Sequence, residues 1–218
     1  MRISMLHFIA MSLFAMCTAA HATTFRFDTD PFAGTPVLTA PGRQIVGGES
    51  FINFSIASDV FSLESTVFGV AGPVNFVNAT AQNVPAGGVN IVVLQTFDDD
   101  ANPLTPFGAG NAANLIADRI TTPGPGFFIY FNQSLDLPGL VFDTDLSSRD
   151  SDLKILARML NLNGATGRNA IPSFTAANFE ITTSGTFQAP EPSMLPIGLG
   201  LAAVGAACRL FRRRRDRA

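Results

Sequence analysis

Phe51-Ile52-Asn53-Phe54-Ser55-Ile56 sets Ile52, Phe54 and Ile56 on one side of an extended chain and leaves Asn53 and Ser55 on the other. A period of two is what a half-buried β-strand requires, because successive side chains point to opposite faces. Val89-Asn90-Ile91-Val92-Val93 repeats the pattern through Val89, Ile91 and Val93. Further short apolar runs fall at 25–27, 60–70, 74–79, 127–131, 140–142 and 178–182. Between them lie Pro41-Gly42, Gly47-Gly48, Gly72-Pro73, Pro85-Ala86-Gly87-Gly88, Pro123-Gly124-Pro125-Gly126 and Pro138-Gly139. Short runs punctuated by Gly and Pro predict an all-β domain, an antiparallel β-sandwich with jelly-roll-like connections.

Two segments test that reading. In 151–160, Leu153, Leu156, Ala157 and Leu160 fall at helical spacing, while Leu153, Ile155, Ala157 and Met159 alternate equally well. The strand is favoured, because Asn163-Gly164 and the run at 174–182 make a hairpin continuation natural. In 111–120, Leu115 and Ile116 are too few to outline a helical face, so a loop or single turn is expected.

The core rests on phenylalanine. Seventeen of the 20 lie in 23–188, with no Trp and a single Tyr, Tyr130. Both cysteines, Cys17 and Cys208, lie outside that region, so no disulfide can staple it. About 166 residues are enough for one domain with a core of its own.

The two ends read differently. Residues 1–22 carry Arg2, an apolar core from Ile3 to Cys17, and the small-x-small ending Ala20-His21-Ala22, which predicts a secretory signal peptide cleaved before Thr23. Met16 before Cys17 argues against lipidation, which normally follows a small residue. At the other end Ala189-Pro190-Glu191-Pro192-Ser193 precedes an apolar run at 194–208 and then Arg209-Leu210-Phe211-Arg212-Arg213-Arg214-Arg215. Two prolines around a carboxylate hold an extended, accessible segment. The apolar run would rise only ~22 Å as a helix against a hydrocarbon core of ~30 Å. Leu210 and Phe211 extend it past Arg209, whose stem can snorkel, and the positive-inside rule keeps Arg212, Arg213, Arg214 and Arg215 cytoplasmic.

This C-terminal order resembles the PEP-CTERM sorting signal of exopolysaccharide-producing Gram-negative bacteria, through Pro190-Glu191-Pro192, the apolar run and the arginines. The resemblance covers that end only, and Ala189 stands where the family often has valine. It implies export by the general secretion machinery, a transient inner-membrane anchor, recognition by an exosortase, and release to the cell surface or extracellular space. Asp145-Leu146-Ser147 and the segment 152–158 also look like a stretch recurring in such exported domains, where β architecture is usual. An ordinary single-pass anchor is the plainer reading of the same run. The domains expected are 1–22, signal peptide; 23–188, exported β-sandwich; and 189–218, sorting signal.

Charge and chemistry narrow the function. The whole chain carries −3, but 23–188 holds seven basic residues against fifteen carboxylates, a net −8. Nucleic acid and anionic lipid would be repelled. Both histidines, His7 and His21, fall in the signal segment, so 23–188 has neither imidazole nor thiol. That removes Ser-His-Asp triads, Cys-His pairs and His-ligated zinc. Carboxylate hydrolysis remains open in principle, through Asp98, Asp99, Asp100, Asp118, Asp136, Asp143 and Asp145, with Glu49, Glu64 and Glu180 the only glutamates of the domain. Asp98-Asp99-Asp100 followed by Asn102 is the best oxygen cluster for calcium, though it lacks EF-hand spacing, and a solvated loop is the favoured reading.

These observations lead to the expectation of a non-enzymatic exported protein without a cofactor, structural or adhesive in an exopolysaccharide matrix. The rivals are a polysaccharide-binding module and a carboxylate-dependent glycan hydrolase. With one Tyr and no Trp, stacking platforms for sugars are scarce.

Overall fold

The structure, a computed structural model, describes residues 22–35, 42–102 and 104–183. Ala20 and the rest of the expected signal core, Pro190, Glu191 and Pro192, the apolar run, and Arg209, Arg212, Arg213, Arg214 and Arg215 lie outside the described residues. Among the described residues, no helix is long and apolar enough to cross a membrane.

Among the described residues ten strands dominate, in two sheets. At the centre of the larger sheet β7 (Gly126–Asn132) pairs antiparallel with β8 (Leu137–Asp143), and β8 with β9 (Leu153–Met159). Beyond β7 lie β6 (Ile91–Leu94) and β5 (Phe76–Ala79), both parallel. The short strands β2 (Ile45–Val46) and β3 (Ser50–Ile52) both run parallel to β9 at the opposite edge. The smaller sheet sets β1 (Thr24–Phe27) and β10 (Phe179–Thr182) on either side of β4 (Val60–Glu64), each parallel to it, and one helical turn, α1 (Ser65–Phe68), follows β4.

The β-rich expectation holds, and the antiparallel one does not. Antiparallel pairing is confined to β7–β8 and β8–β9 among the described residues. Jelly-roll connectivity, which is antiparallel, fails with it. A chain that leaves one strand and enters its parallel neighbour needs a crossover. The Gly/Pro tracts supply crossovers instead of hairpins: 80–90 links β5 to β6, and 95–125, carrying α2 (Ala109–Ala117), links β6 to β7.

The central strands are buried on both faces, unlike the half-buried strand expected around Val89. Ile91, Val92, Val93 and Leu94 are all buried, as are Phe127 through Phe131. Alternation therefore divides each strand between two cores. Phe127, Ile129, Leu140 and Phe142 face the smaller sheet, where they join Phe61, Leu63 and Phe179. Phe128, Tyr130 and Val141 face the other way, onto Ala109, Ala112, Ala113 and Ile116 of α2.

The helix is the element sequence periodicity missed. Its inner face consists mainly of alanines, which add little hydrophobic signal but have the highest helix propensity and let a helix approach a sheet closely. The ambiguous segment 151–160 is the strand β9, with a twist on the expected stripe. Leu140 pairs with Ala157 and Val141 with Ile155, so a bulge at Leu156 places one extra residue on β9. Leu153 and Ile155 consequently enter the helix-side core, while Ala157 and Met159 enter the other.

Two further expectations are corrected. Asn163-Gly164 does not turn β9 into a hairpin: it opens α3 (Gly164–Ala170), and the run at 174–182 becomes β10 of the other sheet. Pro138-Gly139 is not a break between strands but part of β8. A Cβ on Gly139 would meet Arg158 Nη1 at 2.6 Å and Tyr130 Cε1 at 3.2 Å, so the glycine makes room for a buried guanidinium.

Candidate functional site

The acidic residues are the groups left open for chemistry, and the fold scatters them. Asp98, Asp99 and Asp100 sit exposed on the loop after β6, with ligand-capable oxygens within 4.8 Å of one another. Their oxygens accept local donors. Asp98 Oδ1 takes the amides of Asp100 at 3.2 Å and Ala101 at 2.8 Å. Asp99 Oδ2 takes the amide group of Asn111, in the first turn of α2, at 2.8 Å. Asp100 accepts the Thr105 hydroxyl and the Asn102 amide, which hold its carboxyl below the usual range. The triplet wraps its own loop and ties it to α2.

The other candidates hold separate structural positions. Asp118 closes α2 and grips Arg149 through Nε at 2.7 Å. Asp136 adopts φ 55° in the β7–β8 turn and lies 3.7 Å from Arg168, whose guanidinium covers the rings of Phe97 and Phe131. Asp145 folds its own loop by accepting Gly124 N at 3.1 Å, Ser147 N at 3.0 Å and Ser147 Oγ at 2.8 Å. Burial would raise the Asp145 carboxyl, but these donors together hold it lower. Glu64 is buried on β4 and accepts the hydroxyls of Thr66 and Thr182, whereas Glu180 on β10 is exposed.

Asp143 differs from all of these. It ends β8 only 1 % exposed, accepts Asp145 N through Oδ1 at 2.9 Å, and leaves Oδ2 without a hydrogen-bond partner. Burial pushes its carboxyl up, against the opposing pull of the Ser151 hydroxyl, the Asp145 amide and Arg43. Asp143 high and Asp145 low is the divergence an acid–base pair needs. Neither lines the cleft bounded by Asn75, Asn90 and Thr122.

Arg43 and Arg158 are the organising side chains that sequence reasoning missed. Arg43 reaches Ser151 O and Gly110 O at 3.0 Å, and Asn114 Oδ1 and Ser148 O at 2.9 Å, which bolts its loop to α2 and to the 148–151 turn. Burial lowers its pKa, opposed by Asp143, Asp150 and Asp152. Arg158, 3 % exposed, pairs with Glu49 at 3.2 Å and donates to the Tyr130 hydroxyl at 2.9 Å. Burial alone would raise Glu49, but its own amide, Arg158 and the Gly48 amide outweigh it, so that carboxyl sits low. Neither arginine carries a local motif; each acquires its role from partners about 30–110 residues away.

A cleft of about 200 Å³ opens between Asn75, Gly87, Asn90, Thr122, Gly124 and Leu146. Its lining mixes amide and hydroxyl groups, glycine and proline with the aliphatic side chains of Val89, Ile120 and Leu146, and includes no charged side chain. Asn90 is engaged within the fold, donating to Pro73 O at 3.0 Å and accepting Asn75 N at 2.9 Å. The rings of Phe127 and Phe128 are fully buried, so the turn before them presents no aromatic platform. Among the described residues Phe51, on β3, is the exposed ring, at 64 %. No family model matches this chain, and neither a curated protein nor a solved structure does.

Proposed function

We propose that this chain is an exported, non-enzymatic surface or extracellular-matrix protein, structural or adhesive within an exopolysaccharide. One observation carries the reading: Pro190-Glu191-Pro192, then an apolar run at 194–208, then Arg209 and Arg212–Arg215, in that order at the C-terminal end. In this reading the two-sheet domain is a sandwich of mixed strand direction, delivered across the inner membrane by the secretion machinery and held there briefly by its C-terminal anchor. An exosortase then cuts near Pro190, Glu191 and Pro192, and the domain is released.

Support for a non-catalytic role comes from what the acids do. Asp98, Asp99, Asp100, Asp118 and Asp145 each spend their oxygens on turns, a helix end or a surface ion pair. The absence of His and Cys from 23–188 leaves little else for group transfer. A glycan panel tests this directly: turnover abolished by one Asp→Asn change would establish the hydrolase instead.

The sorting test is chemical. Released protein should lack residues 194–218, and intact mass showing the arginine tail still attached would overturn the processing claim. Glu191→Ala should leave precursor in the inner membrane, and normal release of that variant would make the triplet incidental. A second reading, a polysaccharide-binding module, draws on the uncharged cleft at Asn75 and Thr122, which suits a neutral sugar hydroxyl better than an anion. Retention of the domain on native exopolysaccharide in affinity electrophoresis, lost on a bulky substitution at Thr122, distinguishes it.

A further inference from the structure

Asp59 stands where the smaller sheet begins. It is 5 % exposed, and its carboxylate is reached by three neutral donors: Ser55 N to Oδ2 at 2.8 Å, Ser58 Oγ to Oδ1 at 3.2 Å, and Thr23 N to Oδ1 at 2.9 Å. Among the described residues no arginine or lysine forms an ion pair with it. A buried carboxylate is costly unless it is paired or well hydrogen-bonded. The backbone around Asp59 is also fixed. Its amide donates to Ser55 O at 2.8 Å, and its carbonyl accepts Asn178 Nδ2 at 3.0 Å from the turn that feeds β10.

One of those three donors has a special position. Thr23 is the residue at which the mature chain begins if the signal peptide is cut after Ala22, and its carbonyl also accepts Val60 N at 3.0 Å, starting the β1–β4 pairing. Hydrolysis of the Ala22–Thr23 peptide bond places water's oxygen on the Ala22 carbonyl carbon, which leaves as a carboxylate. Thr23 N becomes an amine, and at neutral pH it is protonated to an ammonium. The same nitrogen then faces the same oxygen with a full positive charge.

We propose that Asp59 is the receptor for the α-ammonium group of the mature N-terminus, so that signal removal converts a neutral hydrogen bond into a partly buried ion pair that locks β1 onto β4. Charge-assisted hydrogen bonds are roughly twice as strong as neutral ones. The domain thus tightens when it is freed from its leader. Asp59 also holds, through Asn178, the entry to β10, so the lock acts on the sheet that carries both ends of the domain. The inference rests on the export reading for the position of the cut.

The test uses the chain carried through to Ala218 in detergent, with residues 1–22 replaced by a tag removable immediately before Thr23. Cutting the tag should raise the thermal midpoint by about 2–4 °C for a domain of this size. The rise should vanish in Asp59→Asn, which keeps an acceptor oxygen and loses the charge. An unchanged midpoint after cutting, or the same rise in Asp59→Asn, overturns the proposal. Should that variant fail to fold, reductive methylation of the cut wild-type chain decides. The Thr23 amine should react about tenfold more slowly than in the urea-unfolded chain, and equal rates overturn the lock. N-terminal sequencing of the protein exported by its native host separates the two readings. A start other than Thr23 overturns the cut site and the lock together, whereas a Thr23 start with no midpoint change overturns the lock alone.

Discussion

The two faces of the larger sheet are buried by different means. On one face the cover is another sheet, and phenylalanines meet phenylalanines: Phe54 stacks on Phe61 at 4.2 Å, and Phe68 meets Phe127 and Phe142 edge-on at 5.0 and 4.9 Å. On the other face the cover is α2, whose alanines approach the strands closely. The buried guanidinium lies on this side, where Arg158 meets Tyr130 and Glu49. The difference shows two ways of closing a sheet. Large rings fill volume and tolerate irregular strands, whereas a small-residue helix needs fixed placement, and long-range arginine bonds supply it.

The comparison can be broken most forcefully on the aromatic side. Phe61→Ala removes a fully buried ring from the centre of four aromatic contacts and should cost about 3–5 kcal/mol in urea unfolding. A loss below about 1 kcal/mol would mean that this layer is loosely packed. On the helix side Arg158→Ala should cost about 3 kcal/mol, because Glu49 and the Tyr130 hydroxyl would be left partly buried without their partner. Arg158→Met, which refills the volume, should recover part of that loss; equal loss in both variants would show that packing, not charge pairing, is at stake.

Overpacking sharpens the contrast. Ala112→Leu, at a fully buried position of α2, should destabilise by about 1–3 kcal/mol, measured as a shift in the urea midpoint. A neutral result would show that α2 can move away from the sheet. The smallest effect is expected at Asp143. Its folded pKa lies above its unfolded one, so the native state binds the proton more tightly. The stability Asp143 contributes is therefore complete below the ordinary carboxylate range of about 4, and falls as pH rises toward the elevated folded value. Asp143→Asn should flatten that part of the pH–stability profile and leave the neutral-pH midpoint equal or higher. A profile unchanged by the substitution would place the titration elsewhere.

Strand positions were largely legible. β4 and β9 fall within the expected runs, β6 and β7 overrun theirs by a residue at one or both ends, and alternation marks β9 despite competing helical spacing. Strand direction was not, because a Gly/Pro tract marks where a strand stops and says nothing about whether the chain turns back or crosses over. The helix α2 escaped because alanine contributes little to a hydrophobic stripe. The bulge at Leu156 was equally hidden, since its cause lies in the pairing with Leu140 and Val141 rather than in β9 itself.

For the candidate chemistry, the sequence identified the acids but not their circumstances. Asp143 and Asp145 are two residues apart, yet one is buried with a free oxygen and the other folds a turn. Asp59 attracted no notice, because its significance lies in the nitrogen of a residue 36 positions earlier.

From composition and order alone follow a β-rich, phenylalanine-cored domain without imidazole or thiol, and two ends of different composition, an apolar run after Arg2 and a Pro190-Glu191-Pro192 triplet followed by an apolar run and arginines. Those properties are local: they depend on residue type, spacing and neighbouring residues along the chain. Strand direction, the helix that covers the second face, the buried arginines and the partner of Thr23 were decided only by tertiary structure. Each is a relation between residues far apart in sequence, fixed when two apolar faces had to be covered at once and every buried polar group sought a partner.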